Sequence, residues 1–188
     1  MVEMTKTVQK KRTSKSEWLE TGLSLFEREG LGAVKIELLA KELKTSRSGF
    51  YWHFQDRDEL LRDMLEYWRR EYTEVVIKNF NQLDMGAKEA LYHVMKMIDE
   101  HKLNRFEVHM RAWADNDPAV EKIVTDIYQE RFVFIRQLFS SMGFTGCDLE
   151  MRARLWLCYA THGNSMFPED TCAEGEDLIK FRHAILTD

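Results

Sequence analysis

Apolar residues recur along this chain at intervals of three and four, the spacing of a helix that buries one face. Ser14 and Glu17 stand as a capping box, and Trp18, Leu19, Gly22, Leu23 and Phe26 follow at helical spacing, which predicts a first helix ending at Glu29 before Gly30. Ile36, Leu39, Ala40 and Leu43 predict a short second helix. After a break at Lys44 and Thr45, Ser46 is placed to cap a third helix carrying Phe50 and Phe54 on one face. Three short helices in so few residues make too small a core for a catalytic body and suit a helix-turn-helix module.

A second capping box, Asp56 and Glu59, opens a long fourth helix through Leu60, Leu61, Met64, Leu65, Trp68, Tyr72, Val75 and Val76. Leu91, Val94, Met95 and Ile98 mark a fifth helix, and Phe106, Met110 and Trp113 a sixth that stops before Asp117-Pro118. A seventh is expected from Ala119 to Met142, an eighth from Leu149 to Met166, and a short last one around Leu178, Phe181 and Ile185. The eighth is apolar on more than one side, as expected of a helix between its own core and a second subunit. No strand alternation and no internal repeat competes with this pattern. The expected fold is therefore all-α with about nine helices: an N-terminal three-helix unit within 1–57 and a C-terminal helical bundle over 58–188.

Composition sharpens the division. With 44% hydrophobic residues and only 2 prolines, the 188-residue chain can fill a core and keep its helices long. The formal net charge of -5 is unevenly spread: residues 1–57 hold 11 Lys or Arg against 8 Asp or Glu, the rest 16 against 24. Lys6, Lys10, Lys11, Arg12 and Lys15 concentrate positive charge in the N-terminal arm, where cations can neutralise phosphates. No apolar run is long enough for a membrane span and no leader pattern opens the chain, so a cytoplasmic location without a membrane partner is expected. Cys147, Cys158 and Cys172 form no CxxC pair, which points to reduced thiols and no metal site, with Cys172 a minor candidate for redox sensing.

The third helix carries the chemistry. If Phe50 and Phe54 anchor it, Arg47, Ser48, Tyr51, Trp52 and His53 fall on its other faces. Arginine can pair with guanine or clamp a phosphate, hydroxyl and imidazole groups can donate to phosphate oxygens, and an aromatic ring can touch a thymine methyl. Gly49 permits close backbone approach, and Tyr51 fits a packing role as readily as a DNA role.

The segment from Trp18 to Leu61 resembles the DNA-binding domain of the tetracycline-repressor (TetR) family. The resemblance rests on Leu25-Phe26, Gly30, Leu39-Ala40 and the run from Ser46 to Phe54, followed by Arg57, Glu59, Leu60 and Leu61. It implies groove contacts from Thr45, Arg47, Ser48, Gly49 and Trp52, with phosphate contacts from Lys35, Tyr51, His53 and Arg57, and Ser46 beside them. It further implies a transcription regulator, a repressor by family default, that binds a near-palindromic double-stranded operator as a homodimer and is released by an unknown small-molecule effector. Two positions depart from the family pattern: Lys44 stands where the turn usually has Gly, and Val34-Lys35 replace the usual Thr or Ser cap of the second helix.

The resemblance places an effector pocket in the C-terminal bundle, with Trp68, Tyr72, Tyr92, Met95, His109, Trp113, Phe132 and Tyr159 as candidate lining, although core packing would also explain such aromatic and Met positions. It places a dimer interface on the last two long helices, with Leu155, Trp156, Tyr159 and Ile185 as candidates. No catalytic motif is present: Gly30-Leu31-Gly32 lacks the third glycine of a dinucleotide loop, where Lys35 stands, and there is no Walker loop, GxSxG or HExxH. No cofactor and no enzymatic activity are expected. The alternative is a helical ligand-binding or adaptor protein whose N-terminal unit no longer binds DNA specifically.

Overall fold

A computed structural model describes residues 12–166 and 175–188, and every regular element among them is helical. Lys6, Lys10, Lys11 and Cys172 lie outside the described residues. The chain divides into two compact units, one ending at Met64 and the other beginning at Leu65. The sequence pattern puts that boundary at 57/58, whereas the division falls inside a helix.

In the N-terminal unit, α1 spans Lys15–Glu29, α2 Ile36–Glu42 and α3 Arg47–Phe50, and α4, Arg57–Arg69, runs on into the second unit. The expected capping box opens α1: Glu17 N–H donates to Ser14 Oγ at 3.3 Å and Ser14 N–H to Glu17 Oε2 at 2.6 Å. Such a cap contributes about 1 kcal/mol. Gly30 ends the helix at φ +79°, a conformation few other residues adopt. Asp56 starts α4 by accepting from Glu59 N–H at 2.8 Å, while the Glu59 carboxylate reaches Gln55 N–H rather than Asp56 N–H.

Trp18, Leu23, Phe26, Leu39, Phe50, Phe54, Leu60 and Met64 are buried. Trp18 meets Phe50 edge-on at 5.5 Å, and Phe50 lies 5.0 Å from Phe54. The third helix is shorter than the pattern predicts: it makes one turn, and Phe54 sits beyond it. Burial of both rings still sets the orientation of the segment, because each contributes about 1.5–3 kcal/mol. Nor does Ser46 cap α3 with its side chain; its hydroxyl pairs with Ser48 Oγ at 2.8 Å.

In the C-terminal unit, α4 passes through a π-turn, Arg70–Glu74, into α5, Val75–Asn81. There follow α6 (Ala87–His101), α7 (Glu107–Ala114), α8 (Pro118–Ser141), α9 (Gly146–Met166) and α10 (Gly175–Thr187). With the unbroken run from Arg57 to Asn81 taken as one bent helix, the described residues hold the nine expected. Asp117 caps α8 by accepting from Ala119 N–H at 3.0 Å, with Pro118 in the first helical position. The core joins Leu91 and Val94 of α6, Phe134, Ile135 and Phe139 of α8, and Leu149, Ala153 and Trp156 of α9.

Helix α9 has two apolar faces, as its pattern suggests. Leu149, Ala153 and Trp156 face inward, while Met151, Leu155 and Tyr159 are exposed. Trp156 is therefore a core residue and not part of an exposed interface face. Leu155, Tyr159 and Ile185 remain on the surface.

Candidate functional site

The turn between α2 and α3 is built around Lys44, whose φ of +50° explains why glycine suits this position. Thr45 N–H then donates to Ala40 O at 2.9 Å, closing the turn and aiming α3 away from α2. At the other end of α2, Val34 is fully buried and Lys35, in extended conformation, occupies the N-cap without a side-chain hydrogen bond. Arg57 supplies the missing support: its Nε donates to Val34 O at 2.6 Å and its Nη2 to Leu31 O at 2.8 Å.

On this frame sits an exposed polar and aromatic surface. Trp52 is 72% exposed and Tyr51 56%. Beside them lie Ser46 and Ser48, also exposed, and half-buried Gly49. A Cβ on Gly49 would come within 3.3 Å of Thr45 Oγ1, so the absence of a side chain keeps α3 close to its turn. Arg47 is exposed and pairs with Glu37 at 2.9 Å, a solvent-screened contact that an incoming phosphate or base can exchange. The Arg12 guanidinium stacks 4.4 Å over Trp52, and the imidazole of His53 meets Thr13 O through Nε2 at 2.9 Å. Arg12, Thr13, Thr45, Ser46, Ser48, Gly49 and Trp52 together border one cleft.

The C-terminal unit contains a cavity of about 60 Å³. Its wall is mostly apolar, with Val76, Val94, Ile98, Trp156 and Ala160, but it includes a charged pair. Arg131 Nη1 meets Glu107 Oε1 at 2.7 Å, and Arg131 Nε donates to Thr73 Oγ1 at 2.8 Å. Glu107 is only 1% exposed. The π-turn brings Tyr72 and Thr73 to this wall; such bulges shift helical register and often mark functional sites.

The family model described as bacterial regulatory proteins, tetR family, matches residues 19–64, the span from α1 to the point where the two units divide. The chain belongs to the TetR family. The HTH-type transcriptional regulator YuxN of Bacillus subtilis is 38% identical over 87 residues, covering 45% of this chain and 30% of YuxN. The match thus spans less than a third of that relative. Two solved structures share the fold across the chain. A transcriptional regulator of Saccharomonospora viridis in complex with choline has a TM-score of 0.70 at 16% identity, covering 91% of this chain and 93% of that one. AibR, in complex with isovaleryl coenzyme A and operator DNA, has a TM-score of 0.70 at 16% identity, covering 92% and 97%.

In this TetR-family chain Thr45, Ser46, Arg47, Ser48, Gly49, Tyr51 and Trp52 share one surface, with Lys35 exposed at the start of α2. His53 and Arg57, expected on phosphates, are engaged inside the unit instead, His53 by the Thr13 carbonyl and Arg57 by Leu31 and Val34. Of the eight residues expected in the pocket, only Tyr72 lines the main cavity; Met95 and Tyr159 border a second, neighbouring cleft with Trp156 and Ala160. Trp68 is buried beneath Arg131, whose guanidinium lies 5.0 Å from its ring. Trp113 is buried, and neither it nor His109 lines the cavity. Phe132 is covered by Arg154 at 5.3 Å, and Tyr92 bonds Glu176 at 3.1 Å and stacks on His183. Sequence reasoning missed Glu107, Arg131 and Thr73. The surrounding pattern flags none of them, because their pairing spans three helical segments.

Among the described residues no group of His, Cys, Asp and Glu is arranged to hold a metal ion, and no helix is long and apolar enough to cross a membrane. Cys147 and Cys158 are free thiols on the exposed side of α9.

Proposed function

We infer that this chain is a cytoplasmic transcription regulator that binds a near-palindromic operator as a homodimer, represses by occupying it and is released when a small molecule enters the C-terminal unit. The observation that carries the reading is the contrast within one short segment: Phe50 and Phe54 are fully anchored while Arg47, Ser48, Tyr51 and Trp52 stand in solvent. A segment serving only to pack the core would not hold its largest ring 72% exposed. Thr45, Arg47, Ser48, Gly49 and Trp52 face the major groove in this reading, while Lys35, Lys44 and Tyr51 meet phosphates. Arg57 acts indirectly by holding the start of α2.

Pairing is supported by the unpartnered apolar face of Met151, Leu155 and Tyr159 on α9, with Phe181 and Ile185 exposed on α10. Effector binding is supported by the cavity beside Arg131 and Glu107, and by the choline and acyl-coenzyme A complexes of the structural relatives. Selection from random duplex DNA tests the regulator: a recovered palindrome with a steep salt dependence is expected. Weak binding without sequence preference would leave an adaptor that has lost its operator.

A further inference from the structure

The cavity of the C-terminal unit is asymmetric in its hydrogen bonding. Arg131 spends Nη1 on Glu107 and Nε on Thr73, and Asn104 Nδ2 donates to Ala160 O at 2.8 Å. Glu107 Oε1 takes the arginine, but Glu107 Oε2 is buried and accepts no hydrogen bond. The hydroxyl of Tyr128 interacts with Glu107, yet it too completes no hydrogen bond. A carboxylate oxygen removed from water without a donor is costly, and a ligand that supplies one recovers that cost on binding. The ion pair has already neutralised the formal charge of the wall. An anion would therefore face Glu107 with no uncompensated cation.

We propose that the effector is a compact, largely apolar molecule carrying one O–H or N–H donor that bonds Glu107 Oε2, and that anionic ligands are excluded. The proposal rests on the reading of this cavity as the effector site and names the chemistry it selects. Arg131 and Thr73 are positioning residues: they fix the carboxylate so that Oε2 is the oxygen left for the ligand. The apolar remainder packs among Val94, Trp156 and Ala160.

The test uses four probes on one carbon ring with the full-length protein: cyclopentanol, cyclopentylammonium, cyclopentanecarboxylate and methylcyclopentane. Binding is followed by thermal shift and calorimetry without DNA. The alcohol or the ammonium is expected to bind at least about tenfold more tightly than the carboxylate and the hydrocarbon, the ratio for one added hydrogen bond to a charged acceptor. A tighter ammonium marks the natural ligand as cationic, and a tighter alcohol marks it as neutral. Equal affinity for methylcyclopentane, or a carboxylate that binds best, overturns the proposal while leaving the cavity an effector site.

Binding of no probe, or binding that survives the cavity-filling Ala160→Leu, overturns both. Glu107→Gln is expected to erase the donor preference and to let cyclopentanecarboxylate bind beside Arg131. A merely structural glutamate would weaken all four probes alike. If Glu107→Gln does not fold, the comparison of probes on the unaltered chain still decides.

Discussion

Replacing Arg57 by Met removes a guanidinium from beneath α2 while keeping most of the apolar stem. Two charge-assisted hydrogen bonds disappear, to Leu31 O and Val34 O. Leu31 O still accepts from Val34 N–H at 3.2 Å, but Val34 is fully buried and its carbonyl loses the donor that Arg57 supplies. At about 1.5 kcal/mol for each bond, the low end suited to a half-buried group, the loss is about 3 kcal/mol. Urea unfolding of the full chain, followed by tryptophan fluorescence with Trp18 in the N-terminal core, measures it. Operator affinity should fall as well, because Lys35 and Glu37 at the start of α2 lose their support. The slope of log affinity against log salt should stay unchanged, since no phosphate contact has gone. Undiminished stability together with a slope reduced by about 0.9 for each lost contact would refute the reasoning and return Arg57 to the phosphates.

Arg47→Ala is expected to weaken operator binding by about 1–3 kcal/mol and to relax preference at one position of each half-site, read by repeating the selection with the variant. Lys44→Gly relieves the +50° φ and should stabilise the N-terminal unit by about 1 kcal/mol in urea unfolding, while operator affinity and its salt slope fall through loss of the charge. Leu155→Glu, at a residue 58% exposed, should change stability by less than about 0.5 kcal/mol yet shift sedimentation from dimer to monomer. Hydrogen bonds from Lys180 and then Tyr92 hold the Glu176 carboxyl below its ordinary range, and Lys88 does the same for Asp188. Both depressed groups contribute above the ordinary carboxylate pKa and lose that contribution as pH falls through the folded values. Amides of α10 should therefore exchange faster relative to those of α8 below about pH 4 once intrinsic rates are corrected.

What was legible in the sequence was local. Ser14 and Glu17 meet within one helical turn, as do Phe50 and Phe54, so spacing alone brings them together. Asp117-Pro118 likewise marks the start of α8 without help from the rest of the chain. Leu155 and Trp156 are a different case: both are apolar on a helix with two apolar faces, and only the neighbours on α6 and α8 decide that Trp156 turns inward. Arg57 looked like a phosphate ligand because its role depends on carbonyls 26 and 23 residues earlier. A backbone carbonyl leaves no signature in a side-chain pattern. The cavity was misread for a related reason. Aromatic and Met positions mark buried surface in general, whereas the lining depends on the π-turn that changes register at Thr73.

The Glu107–Arg131 pair also explains why this cavity differs from packing left incomplete. Two charges taken from water inside a protein seldom add net stability, and apolar residues of similar volume often do better. Here the cost is reduced on one side only: Arg131 is bonded by Glu107 and Thr73 and stacks on Trp68, while Glu107 keeps one oxygen without a hydrogen bond. A pair serving only the fold would be expected to close on itself, because the unsatisfied oxygen is its most expensive part. The three residues come from separate segments, the π-turn, α7 and α8, so a donor placed at Glu107 Oε2 acts on all three through bonds already formed. Recognition of a ligand and a change in the packing of these segments are thereby the same event, which is what a regulator released by its effector requires.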